Sequence, residues 1–214
     1  MKRSAFSMLE LIFVIVTLGI LAVLAIPRID RDLRQEAQTN LLSAIRYTQN
    51  LALADNKTDP RTTNSFTHSD DWQKTLWQLR FRNVGAQWYY TISSDLNRQG
   101  GVDQIETAID ITNGKRMYNG TGDYTIDDDE SPNIFLTHKY GINSISLSCD
   151  TDGSNQHLAF DHLGRPHANI DSNTTNNYAT YLQNDCTLTA TFSDTSLAPI
   201  SINIAAETGY ASLN

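Results

Sequence analysis

Apolar and polar positions divide the chain into two unlike parts. From Phe6 to Ile26 the residues are almost unbroken in apolar character, and Ser7, Glu10 and Thr17 are the clearly polar members. A helix rising about 1.5 Å per residue over that run is roughly 31 Å long, against a bilayer hydrocarbon core of about 30 Å, so residues 6–27 are predicted to form a transmembrane helix. Past Pro27 the apolar positions contract to a stripe. Ile29, Leu33, Ala37, Leu41, Ala44, Ile45, Thr48 and Ala52 recur at steps of three and four, with Arg31, Arg34, Glu36, Gln38 and Gln49 elsewhere on the wheel. This predicts an amphipathic continuation of the same helix over residues 28–55. Pro27 is expected to kink the helix rather than end it, and Asp55, Asn56 and Pro60 supply the stop.

The period then shortens. After a polar loop over residues 53–70, Thr75 to Arg82 alternates apolar and polar residues, and Gln87 to Ile92 follows a turn at Asn83-Val84-Gly85, which predicts a hairpin. Residues 94–132 are rich in Asn, Gly and Asp with one weak apolar segment, Ile105 to Ile111, and read as a long excursion. Further strands are predicted at 133–137, 144–148, 157–160, 179–183, 187–192 and 200–205. One long helix followed by short strands gives an α+β class, with residues 56–214 as a β-rich globular domain.

Glu10 interrupts the apolar run, where a carboxylate without compensation costs a few kcal/mol or more; an ionisable group at such a place needs a named partner. Around it lies a specific pattern: the basic residues Lys2 and Arg3, Ala5, then Phe6 with Glu10 four residues on, Gly19 inside the helix and Pro27 near its end. The pattern resembles the N-terminal signature of type IV pilins and of the pseudopilins of type II secretion. The family usually has Gly before the cut; Ala5 keeps a small residue there. The resemblance implies a pilin-like fold, a leader over residues 1–5, cleavage between Ala5 and Phe6 by a prepilin peptidase, and methylation of the new Phe6 amine. It also implies a precursor held in the bacterial inner membrane by a single pass, with its C-terminal domain in the periplasm. A platform protein and a cytoplasmic ATPase would then draw the subunit into a filament in the periplasm or at the cell surface. Glu10 would pair there with the Phe6 amine of a staggered neighbour.

A second resemblance lies in the tail. Leu158 to Pro166, with its Phe-Asp-x-x-Gly-Arg core, Ile200 to Ile204, and Glu207-Thr208-Gly209-Tyr210 are similar to the C-terminal pattern of minor pseudopilins and minor pilins of the GspH and FimT type. Two other readings of the N-terminus stand beside these. One is an ordinary anchor helix with Glu10 near an interface and neutral. The other is a secretory signal cut after Val23-Leu24-Ala25, against which stand the length of the apolar run and Glu10 in its centre.

Charge narrows the classes of partner. The net charge is −8, and loss of Lys2 and Arg3 with the leader leaves 14 basic against 24 acidic side chains, about −10. Phosphate binding needs a basic patch, and no Lys/Arg cluster occurs beyond Arg28 to Arg34, so no nucleic-acid partner is expected. Cys149 and Cys186 are expected to form a disulfide if this part is exported to an oxidising compartment, the alternative being two buried thiols.

Asp127-Asp128-Asp129-Glu130 concentrates four carboxylates in one loop, with Asp123 nearby, and calcium is the cation such oxygens would take. The loop resembles the calcium loop of major pseudopilins in composition, although its spacing fits no EF-hand. Asp150-Thr151-Asp152-Gly153 reads as a turn. His157, His162 and His167 recur at five-residue steps, a spacing that turns the first two to opposite faces of a strand. Asn173, in Asp171-Ser172-Asn173-Thr174-Thr175, is a candidate glycosylation site. Neither Gly-x-Ser-x-Gly, nor His-Glu-x-x-His, nor a phosphate-binding glycine loop is present, so no enzyme is expected. The leading function is a structural filament subunit, a minor pseudopilin or minor pilin. The alternatives are a DNA-binding minor pilin of an uptake pilus and a membrane-anchored periplasmic protein of another activity.

Overall fold

The computed structural model of the chain describes residues 8–59, 72–98, 101–120, 122, 125–150, 155–170 and 180–214, without the side chains of residues 23–32 and 155. Helix α1 (Met8–Ala54) is continuous over 47 residues and passes through Pro27. Its distal half behaves as its periodicity predicts. Ala37, Leu41, Ala44, Ile45, Thr48 and Ala52 are buried, and Leu33 packs at the margin of the same core. Removing each leucine or isoleucine there from water stabilises the fold by roughly 1.5–3 kcal/mol.

Two four-stranded antiparallel sheets receive this stripe. The first has the order β2 (Gln87–Ser93), β1 (Trp77–Val84), β4 (Asn155–Phe160), β5 (Pro166–His167). The second has the order β3 (Ile142–Leu147), β6 (Cys186–Phe192), β7 (Ile200–Ile204), β8 (Ala211–Leu213). In β6 and β7 the alternation is clean: Leu188, Ala190, Ile200, Ile202 and Ile204 point into the core while Thr187, Thr189, Thr191, Ser201 and Asn203 face outward. The β1–β2 hairpin turns at Gly85 and Ala86, with φ of 56° and 67°. Both central residues are thus left-handed, as a two-residue type I′ turn demands. The Asn83 side-chain oxygen accepts from the Ala86 amide at 3.2 Å and closes the turn.

Several expectations are corrected. Residues 133–137 are not a strand: Pro132–Ile134 forms a 3-10 turn and α2 (Leu136–Tyr140) follows it. Ser131 caps the turn, its hydroxyl accepting from the Asn133 amide at 3.2 Å, and Pro132 sits at the position where a missing N–H costs nothing. The pilin-like fold with a transmembrane half over residues 6–27 is also overturned. Among the described residues no helix is long and apolar enough to cross a membrane. The fully described apolar part of α1, residues 8–22, would measure about 22 Å at 1.5 Å per residue, short of a hydrocarbon core of roughly 30 Å. The single-pass inner-membrane location falls with it. What remains is an α+β fold of one N-terminal helix on antiparallel sheets.

Candidate functional site

The N-terminal part of α1 is left largely uncovered by the other described residues. Large apolar side chains from Met8 to Leu21 are exposed on every side of the helix, from 41% at Val14 to 81% at Leu9, with Phe13 at 67%. A helix apolar all round belongs in an apolar environment. Thr17 is no polar break in this surface, because its hydroxyl donates to the carbonyls of Phe13 and Val14 at 3.0 and 2.9 Å. Glu10 lies in the first turn, where the partial positive charge of the helix N-terminus favours a carboxylate. Ala5 and Phe6, the expected cleavage pair, lie outside the described residues.

The distal half of α1 is tied to the domain along its length. Arg34 donates to the carbonyls of Ala198 and Pro199, Glu36 pairs with Lys139 at 2.9 Å, and Arg46 donates to the carbonyl of Ala211. Near the end Gln49 donates to the carbonyls of Gly164 and Thr208, at 2.9 and 2.8 Å. Two of the three tail segments singled out in the sequence therefore meet at one side chain of the helix. Gly209 adopts φ +66°, and a Cβ there would overlap the Gly164 carbonyl oxygen and approach Phe160 Cε1 to 2.9 Å. Only glycine fits both the space and the backbone.

Asp161 shapes the first of these turns. Its carboxylate accepts from the amides of Leu163 and Arg165, both at 2.9 Å, and from the Arg165 guanidinium at 2.7 Å. His167 Nε2 stands 3.5 Å away, an electrostatic contact rather than a formed hydrogen bond. Burial pushes the Asp161 carboxyl up, but the His167 ring, the Arg165 guanidinium and the two backbone donors outweigh it and hold the group well below the usual carboxylate range. His167 Nδ1 contacts the Thr180 hydroxyl at 3.0 Å, and His162 Nδ1 contacts that of Thr58 at 3.0 Å. His162 and His167 thus have different partners, and the backbone amide of His157 donates to the Asp150 carboxylate at 2.7 Å.

Within the excursion Asp95, Glu106, Asp110 and Glu130 are buried. Asp110 accepts from Thr112 through its backbone amide and hydroxyl at 2.9 and 2.7 Å, from the Ser131 hydroxyl at 2.5 Å, and from the side-chain Nδ2 groups of Asn113 and Asn133 at 3.1 and 2.8 Å. Burial pushes its carboxyl up, and these donors prevail and lower it. Glu130, last of the acidic run, is buried and accepts from the amides of Gly120 and Asp127 at 2.6 and 3.3 Å. Burial raises its carboxyl above the ordinary value despite both donors. Asp129 accepts from the Gln104 side chain, while Asp127 and Asp128 are exposed. Glu130 is built onto backbone donors, and among the described residues, which leave out Asp123, no group of three acidic, His or Cys side chains is placed to hold a metal ion.

Cys149 and Cys186 form the disulfide, with Cα atoms 5.3 Å apart. It joins the end of β3 to the start of β6, beside the hydrogen bond from the Ser148 amide to the Thr187 carbonyl at 3.0 Å. Asn173 lies outside the described residues. The sequence reading missed Asp110 and Gln49. The run Asp110-Ile111-Thr112-Asn113-Gly114 carries an Asx-turn signal that could have marked the first. The second depends on tertiary contacts that no local pattern encodes. No protein-family model, no curated protein and no solved structure matches the chain.

Proposed function

We propose that the chain is a structural subunit of a helical fibre, a minor pseudopilin or minor pilin in kind, whose α1 helices pack in parallel through residues 8–21. The observation that carries this reading is the exposed apolar surface of that segment, all round the helix and interrupted by one carboxylate. The leader motif ending at Ala5 supports it, since cleavage there would create an amine at Phe6.

Within one helix the Phe6 amine and Glu10 stand about 6 Å apart along the axis, so the carboxylate of one subunit is better matched to the amine of a staggered neighbour. Inside an assembled bundle, away from water, removing one partner of such a pair costs about 3–5 kcal/mol. Glu10 therefore sets the register between subunits, and the apolar side chains supply the adhesion. No reaction is assigned to the chain.

Replacing Glu10 with Leu, an exposed position in the single chain, is expected to leave helical content and melting temperature unchanged while abolishing incorporation into fibres. Incorporation at the level of the unmodified chain would remove the register mechanism.

A further inference from the structure

Successive residues of β2 turn to opposite faces of the first sheet. Tyr90 turns toward α1, where its hydroxyl donates to the Asn40 side chain at 3.2 Å. Tyr89 and Thr91 therefore share the other face with Arg82, the cross-strand partner of Tyr89 on β1. These three residues line a cavity of about 240 Å³ together with Tyr118, Asn119 and Gly120 of the excursion. The loop is held in place: the Asn119 side-chain oxygen accepts from the Gly122 amide at 3.0 Å, and the Gly120 amide donates to Glu130 at 2.6 Å. Two polar groups of the cavity are left over. Thr91 is 4% exposed, and its hydroxyl is buried with no hydrogen-bond partner among the described residues. Thr17 in α1 returns its hydroxyl to carbonyls one turn back, an escape that a strand does not offer. A buried hydroxyl without a partner is costly, and an oxygen from outside the chain would complete it. The second group is the partly buried Arg82 guanidinium, which has no ion-pair or hydrogen-bond partner among the described residues.

We propose that this cavity binds a small monocarboxylate, held between the Arg82 guanidinium and the Thr91 hydroxyl. Arg82 and Thr91 are diagonal neighbours across β1 and β2, about 7–8 Å apart at the backbone, a span that a long side chain and a carboxylate bridge. Both leftover groups can donate, and a carboxylate only accepts. One cation answers one negative charge. Burial pushes the Tyr118 phenol up, Asp103 and Glu130 add to this, and Arg82 pulls it down, so two acids act at the same place as the cation. They oppose a second charge on the ligand, which favours a monocarboxylate over a phosphate dianion. The rings of Tyr89 and Tyr118 supply an aromatic wall for the apolar stem of the acid. The cavity lies apart from residues 8–21 of α1, so the unassembled chain is expected to bind.

Titration of the full-length chain with benzoate, followed by saturation-transfer NMR, is expected to saturate in the millimolar range, while benzamide, its neutral analogue, does not bind. Arg82→Gln is expected to weaken benzoate about tenfold or more, the scale of a hydrogen bond to a charged group. Thr91→Val keeps the shape and removes the hydroxyl. It is expected to weaken benzoate severalfold while melting stays unchanged or rises, because no internal hydrogen bond is lost. A second acid, N-acetylglutamate N-methylamide, separates the two sources of a carboxylate: tighter binding than benzoate assigns the site to the acidic side chain of a peptide, and the reverse order to a free acid. Absence of saturable binding by either acid, equal binding of benzamide, tighter binding of methyl phosphate, or an affinity unchanged in Arg82→Gln would overturn the assignment. Should Arg82→Gln not fold, Thr91→Val decides: weakened benzoate binding with unimpaired melting supports the site, and an affinity equal to that of the unmodified chain overturns it.

Discussion

Gln49 on the helix donates its side-chain amide to the backbone carbonyl of Gly164, in a turn that lies 115 residues further along the chain. The same nitrogen also reaches the carbonyl of Thr208, so one side chain locks two turns from different sheets against α1. Replacing Gln49 with Leu keeps the bulk and removes the donor from both carbonyls, of which the Gly164 contact is part-buried. A loss of about 1–3 kcal/mol is expected in chemical denaturation. Gly209→Ala is expected to cost about 2–4 kcal/mol, because strain at positive φ adds to overlap with a backbone oxygen that cannot move aside. A stability equal to that of the unmodified chain in both variants would show that the two turns do not depend on this contact.

Stability should depend on pH through Asp161. Its carboxyl lies below the value of about 3.9 expected in the unfolded chain. The carboxylate therefore contributes stability that is fully present above that unfolded value and is lost as pH falls through the lower, folded one. Asp161→Asn is expected to destabilise the protein by about 2–3 kcal/mol at pH 7, with the gap from the unmodified chain narrowing below about pH 4. Denaturant melts at pH 7, 5 and 3 read this directly. A gap that stays constant over that range would assign the loss to packing instead of charge.

Reduction offers a third test. The bond between Cys149 and Cys186 closes a loop of sequence separation 37. In the chain-entropy account it stabilises the fold by about 3–4 kcal/mol. Alkylation of the unreduced protein should label neither cysteine, and the Cys149→Ser, Cys186→Ser double variant should shift the urea midpoint down by the corresponding amount. An unshifted midpoint would mean that the loop-closure stabilisation is not realised in this fold.

The proposed processing has a direct readout. The protein recovered from cells that assemble fibres is expected to begin at Phe6 with a methylated amine. A mature chain starting at Ile26 would return residues 1–25 to the role of a secretory signal, and a retained Met1 would leave Glu10 without its neighbour's amine.

Legibility in the sequence followed the range of the interactions. The distal stripe of α1, the β1–β2 hairpin and the cores of β6 and β7 repeat at 3.6 or 2 residues, and such local periods survive folding. Residues 133–137 misled because Ile134, Phe135 and Leu136 look like a buried strand, while the deciding cue was the cap-and-proline pair Ser131-Pro132 just upstream. Strands β5 and β8 are two and three residues long, too short for any period to show. The acidic run at 127–130 reads as four alike carboxylates in the sequence, yet Glu130 folds inward onto backbone amides while Asp127 and Asp128 stay exposed. Asp110 escaped notice for the opposite reason: its donors Thr112, Asn113, Ser131 and Asn133 are spread over more than twenty residues and meet only in the folded excursion.

The attachments of α1 to the domain also determine how the molecule bears load. Arg34, Glu36, Arg46, Tyr47 and Gln49 fasten successive turns of the helix to loops and strands on both sheets. Traction on the apolar end runs parallel to the axis, so these fastenings are sheared together and cannot be peeled away one after another. A subunit held by its greasy tip would hang from its whole globular body, and tearing it apart would require the entire row to yield at once.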